Sequence, residues 1–196
     1  MPSKTQMRDE RLVESFVASF EKLADLTGYD WIDPVISQLA VGDCDQYGRR
    51  HWRPKGVITN KELLEPIYSQ LPRPFPPLFQ RLVLSFRWAE VDIQLCQLLA
   101  NPPGPDLSGL VQEMSRDRTF WKYLRAGGYI QFGTGPGGDS DPVCFDTSSR
   151  KSNGDCKIVK IDHEQILCYD RVKVVAEVAP SFRELMLRAI DKANQT

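Results

Sequence analysis

Between Tyr129 and Ala176 the chain crowds four short β-forming runs together, and this spacing constrains the fold more than any other feature. The runs are Tyr129-Ile130-Gln131-Phe132, Pro142-Val143-Cys144-Phe145, Cys156-Lys157-Ile158-Val159-Lys160-Ile161 and Val172-Lys173-Val174-Val175-Ala176. Stretches rich in Gly, Asp, Ser and Asn separate them, as expected of hairpin connections. Ser181 then caps a helix with Glu184 at its third position, a capping box ahead of Phe182, Leu185, Met186, Leu187 and Ile190. Runs of helix followed by closely spaced strands and a closing helix predict an α+β fold with an antiparallel-rich sheet flanked by helices.

The helical runs lie upstream. Leu12, Phe16, Phe20 and Leu23 repeat at helical spacing and predict an amphipathic helix over 8–26, stopped at Thr27-Gly28. An irregular stretch to Gly56 carries the basic cluster Arg49-Arg50-His51-Trp52-Arg53-Pro54-Lys55. Thr59 and Glu62 form a second capping box, for a helix with Leu63, Leu64, Ile67 and Tyr68 inward. The proline-rich Leu71–Pro77 segment ends that helix, and a new one starts on Pro77. Residues 87–93 alternate without deciding between strand and helix. A loop at 101–105 precedes two short helical stretches, and Gly127-Gly128 ends the second.

A length of 196 residues fits one domain, here read as an N-terminal extension over 1–70 and a main unit over 71–196. The net charge of −1 leaves no whole-chain basic field, so no direct nucleic-acid partner is expected. No apolar run reaches the roughly 18 residues of a membrane span, and the polar start lacks a secretory pattern, so a cytoplasmic protein away from membranes is expected. The five cysteines form no Cys-x-x-Cys pair and only two histidines are present, which predicts neither a disulfide framework nor a metal or other cofactor.

Four constellations invite chemistry. Gly133-Thr134-Gly135-Pro136-Gly137-Gly138 matches G-x-G-x-x-G, but it leads into Asp139-Ser140-Asp141-Pro142 rather than a helix and reads as a hairpin loop. Asp139 and Asp141 with His163 could surround a metal in a hydrolase or nuclease. Read as strand neighbours, however, Asp162 and Glu164 cannot both orient the His163 ring. Arg49, Arg50 and Trp52 offer a basic, aromatic docking surface for a protein. Residues 129–170 hold seven acids and four bases, so Asp139, Asp141, Asp162 and Glu164 offer an acidic surface for a basic partner.

Several of these segments together resemble the SUKH superfamily, which includes the fungal Smi/Knr regulators and many bacterial immunity proteins. The carriers are Tyr129–Phe132, the glycine turn ending Gly138-Asp139, Pro142–Asp146, Ile158–Glu164 and Ala179–Met186, with Leu71-Pro72 and Pro77–Leu82 as a weaker match. The resemblance implies a SUKH-like domain over 71–196 that binds proteins, has no catalytic residues and typically neutralises a polymorphic toxin, often a nuclease. A regulatory scaffold of the Smi/Knr kind is the alternative. The partner's identity and the oligomeric state are left open.

Overall fold

The computed structural model describes residues 4–195. Where one helix is predicted over 8–26, two form, α1 (Lys4–Ala18) and α2 (Phe20–Leu23). The break lies at Ser19, whose hydroxyl bonds back to the Phe16 carbonyl at 2.6 Å and competes with the helical ladder. Thr27–Gly28 is not a helix stop but strand β1, paired antiparallel with β2 (Arg50–His51). Between them Asp33 caps α3 (Pro34–Leu39) by accepting the Val35 amide at 2.9 Å. After β3 (Lys55–Gly56), the cap of the second predicted helix is Asn60 rather than Thr59, and a 3-10 turn at Lys61–Leu64 runs into α4 (Glu65–Tyr68).

Helix α5 (Pro77–Ser85) starts on Pro77 as the sequence predicts. The ambiguous 87–93 segment becomes strand: β4 (Phe86–Arg87) pairs with β3, and β5 (Val91–Asp92) pairs with β6 (Gln97–Leu98). Helices α6 (Ser108–Met114) and α7 (Arg118–Ala126) lead to β7 (Tyr129–Thr134), β8 (Pro142–Asp146) and β9 (Lys157–Ile161). Helix α8 (His163–Tyr169) corrects the reading of His163 as a strand residue. Asp162 caps it by accepting the Gln165 amide at 3.1 Å. β10 (Val174–Ala179) and α9 (Phe182–Ala193) complete the chain, with Ser181 capping through the Glu184 amide as expected.

The architecture is α+β. Six strands form one antiparallel sheet in the order β10-β9-β8-β7-β6-β5. Alternation along β8 sends Val143 and Phe145 to the main core and Cys144 to a smaller one beneath α7 and α8. The main core is aromatic. Phe132 stacks on Phe145 at 4.2 Å between centroids, Phe182 of α9 meets both edge-on, and Phe79 of α5 meets Phe145 edge-on and Phe132 at a tilt. Phe16 of α1 reaches Phe182 at 6.1 Å, and residues from Val13 to Ile67 contribute side chains to this core.

One buried cation is held without a carboxylate among the described residues. Arg87, 2% exposed, donates from Nη1 to the Val83 and Phe86 carbonyls at 2.6 and 3.1 Å. Asn101 Nδ2 donates to the same two oxygens at 3.0 and 2.7 Å. These carbonyls end α5, where the helix dipole favours positive charge. Burial lowers the Arg87 pKa, but a guanidinium stays charged.

Trp52 is corrected from a surface candidate to a core residue at 2% exposure, whereas Trp31 is 75% exposed. Its backbone explains why. The Trp52 amide donates to the Leu26 carbonyl at 2.9 Å, and a bridge to Ala40 holds the residue over α3. Trp52→Ala is expected to cost about 3–5 kcal/mol in urea unfolding, and Trp31→Ala less than about 0.5 kcal/mol.

Candidate functional site: an acidic cleft beside a closed charge cluster

The glycine-rich turn joining β7 and β8 is fully accounted for by structure. A Cβ on Gly133 would lie 2.6 Å from the Gln97 carbonyl oxygen of β6, and one on Gly135 would fall onto the Asp139 carboxylate. Gly137 and Gly138 have φ of 67° and 85°, the left-handed region that favours glycine. The Gly137 amide donates to Asp92 at 2.8 Å, so it is not spare for a phosphate.

This turn brings together two of the expected acids, a lysine and the histidine. Asp139 accepts Lys160 Nζ at 2.8 Å and the Asp141 amide at 3.0 Å. Asp141 accepts both the backbone amide of His163 at 3.0 Å and its ring Nδ1 at 2.6 Å. Lys160 also lies 3.4 Å from Asp141. The Lys160 hydrogen bond holds Asp139 below the usual carboxylate range, and Asp139 in turn raises Lys160. Burial pushes Asp141 up, but the two His163 hydrogen bonds outweigh it and the net direction is down. The Asp141 hydrogen bond raises His163.

The four groups therefore satisfy one another. An ammonium already sits between the two carboxylates where a metal would have to go, and no group of three metal-binding side chains occurs among the described residues. Asp162 serves as the α8 cap, and Glu164 is exposed on the first turn of that helix. The basic loop is equally compensated. Arg49 pairs with Asp45 at 3.0 Å and Asp25 at 3.6 Å, Arg50 with Asp30 at 2.6 Å, and Arg53 with Glu21 at 3.0 Å.

Two adjoining clefts lie elsewhere. A cleft of about 640 Å³ runs between the start of α3 and the 102–106 loop. A second, of about 430 Å³, lies over β6 and β7 and reaches Asp139. The two share Glu90, Glu113 and Arg116. Across both, five carboxylates (Asp33, Glu90, Asp106, Glu113 and Asp117) face a single base, Arg116, which pairs with Glu113, and the sixth lining carboxylate, Asp139, is already paired with Lys160. Asp33, Asp106 and Asp117 are there because each bonds amides at or beside a helix start. Burial, reinforced by Asp33, pushes Glu90 and Glu113 above the usual carboxylate range, and Arg116 opposes this.

Sequence reading missed this cleft because its acids come from five separate segments, each carrying an ordinary local charge balance. The one available signal was the density of Asp residues at helix starts, which reads as capping. No protein-family model and no curated protein matches the chain.

The His163–Asp141 contact has a pH signature. A histidine raised on folding contributes stability that is complete below its unfolded value, near 6.5, and is lost as pH rises through the higher folded value. NMR titration is expected to place His163 above 6.5 in the wild type, and Asp141→Asn to bring it back towards that value.

Proposed function

We propose that this chain is a non-catalytic protein-binding domain of the immunity kind, which neutralises a partner by taking a basic surface of it into the acidic cleft. The single observation that carries this reading is the five-to-one excess of carboxylates over bases across the joined clefts, leaving out the Lys160-paired Asp139, in a chain whose net charge is only −1. A nuclease surface must be basic to hold phosphates, and a concave array of carboxylates competes for the same cations. Glu90 and Glu113 already bear part of their desolvation cost in the free protein. An incoming Lys or Arg would therefore form charge-assisted hydrogen bonds without first ordering or drying them.

The resemblance to the SUKH superfamily supports the same class. The scaffold reading is weaker, since Arg49, Arg50 and Arg53 are spent on internal ion pairs and Trp52 on the core. The hydrolase reading is weaker because Lys160 occupies the space between Asp139 and Asp141.

The test is co-expression with the product of the adjacent gene, scoring survival and co-purification. Glu90→Lys with Glu113→Lys is expected to abolish rescue, while Arg49→Ser with Arg50→Ser keeps it. A complex insensitive to both the double reversal and added salt would remove the acidic cleft from the explanation. A separate prediction concerns stability. Glu90 is harder to ionise folded than unfolded, so its contribution is present at acid pH and lost as pH rises. At neutral pH, Glu90→Gln is expected to raise the melting temperature by about 2 °C while weakening partner binding.

A further inference from the structure

Helix α7 carries Arg118, Lys122 and Arg125 at i, i+4 and i+7 and has no acidic residue. This spacing sets the three on one helical face, rising about 6 Å and then 4.5 Å along the axis. The opposite side of α7 is anchored, with Leu124 buried in the small core and Phe120 and Tyr123 packed on it. Nine other Lys and Arg side chains end in ion pairs with carboxylates, but these three do not.

Aromatic rings lie between the cations. Lys122 Nζ sits 4.8 Å from the Tyr123 ring centroid and the Arg125 guanidinium 5.2 Å from that of Trp121. At the end of the neighbouring α8, Arg171 lies 5.5 Å from the ring of Tyr169, which is 64% exposed. Three of the four cation–aromatic pairs among the described residues therefore belong to α7 or the end of α8, which the Tyr123–Asp170 hydrogen bond joins. Asp170, at the end of α8, accepts the Tyr123 hydroxyl at 2.5 Å, while Asp117 beside Arg118 is taken up in capping α7.

We propose that this α7–α8 face binds single-stranded nucleic acid. An unpaired row of cations meets successive phosphates, while the exposed Tyr169 ring, with its guanidinium neighbour, offers a stacking surface to an unpaired base. A duplex hides its base faces, and an acidic peptide makes no use of an aromatic platform. A neutral total charge is no obstacle, because the matching acids are gathered in the cleft and do not cancel this row locally.

The experiment is fluorescence anisotropy of the full chain with a labelled 12-nucleotide oligouridylate. Saturable binding is expected at about 50 mM salt, falling roughly twenty- to fifty-fold at about 200 mM, as for three or four phosphate contacts. Arg118→Ser with Lys122→Ser and Arg125→Ser, all exposed positions, is expected to weaken binding at least tenfold, and Tyr169→Ala at least fivefold. Lys22→Ser with Lys61→Ser, away from this face, is expected to change it less than twofold, and circular dichroism checks that every variant is folded. The proposal is overturned by no saturable signal at the lower salt, by binding indifferent to the triple variant, or by oligoglutamate of equal charge competing as well as unlabelled oligouridylate. Self-association of the wild type at low salt, abolished by the triple variant and unaffected by RNA, would instead assign the face to a second copy.

Discussion

Five phenylalanines from five elements meet at the centre of this protein, and the rest of the structure hangs on that contact. Phe132 and Phe145 stack across β7 and β8, Phe79 of α5 and Phe182 of α9 close over them at steep ring angles, and Phe16 of α1 joins through Phe182. Each is at most 1% exposed. Such pairs contribute about 0.5–1.5 kcal/mol beyond the area they bury and tie three helices to the sheet through one cluster. The β7–β8 pair is thereby clamped on its core face. The turn that joins them, with Asp139 and Asp141, is delivered beside Lys160 and the start of α8.

Charge is then sorted by geometry rather than by sequence position. Helix α7 divides two opposite fields. Its cap Asp117 and its Phe120 line the acidic cleft, while Arg118, Lys122 and Arg125 form the uncompensated row. A net charge of −1 conceals both, since a total says nothing about segregation. On the proposed reading, two separated faces of opposite sign would orient the protein as it approaches a basic partner. The clusters that looked most reactive in the sequence do the opposite. Asp139, Asp141, Lys160 and His163 neutralise one another, and the Arg49–Arg53 loop pairs with acids from three other segments.

Much of the fold was legible where the signal is local. The Ser181 cap, the start of α5 on Pro77 and the three central strands follow from the geometry of a few adjacent residues. Helix α8 was not read, because Asp162 and Gln165 form an ordinary N-terminal pair directly after a strand and the apolar run offered no change of period. The two-residue strands β1 to β6 were mostly invisible, since pairs this short have no periodicity of their own and exist only through a partner distant in sequence.

The sequence by itself determined the α+β class, the antiparallel meander and its closing helix, because caps, turns and alternation act within a few residues. It also decided that the glycine-rich turn is a hairpin, through the turn-forming residues that follow it. Only the tertiary structure decided which charges remain available. Ion pairing and burial depend on distances between segments tens of residues apart. Trp52 thus went to the core, Asp139 and Asp141 to internal partners, and the cleft to Glu90 and Glu113, which no local pattern connects.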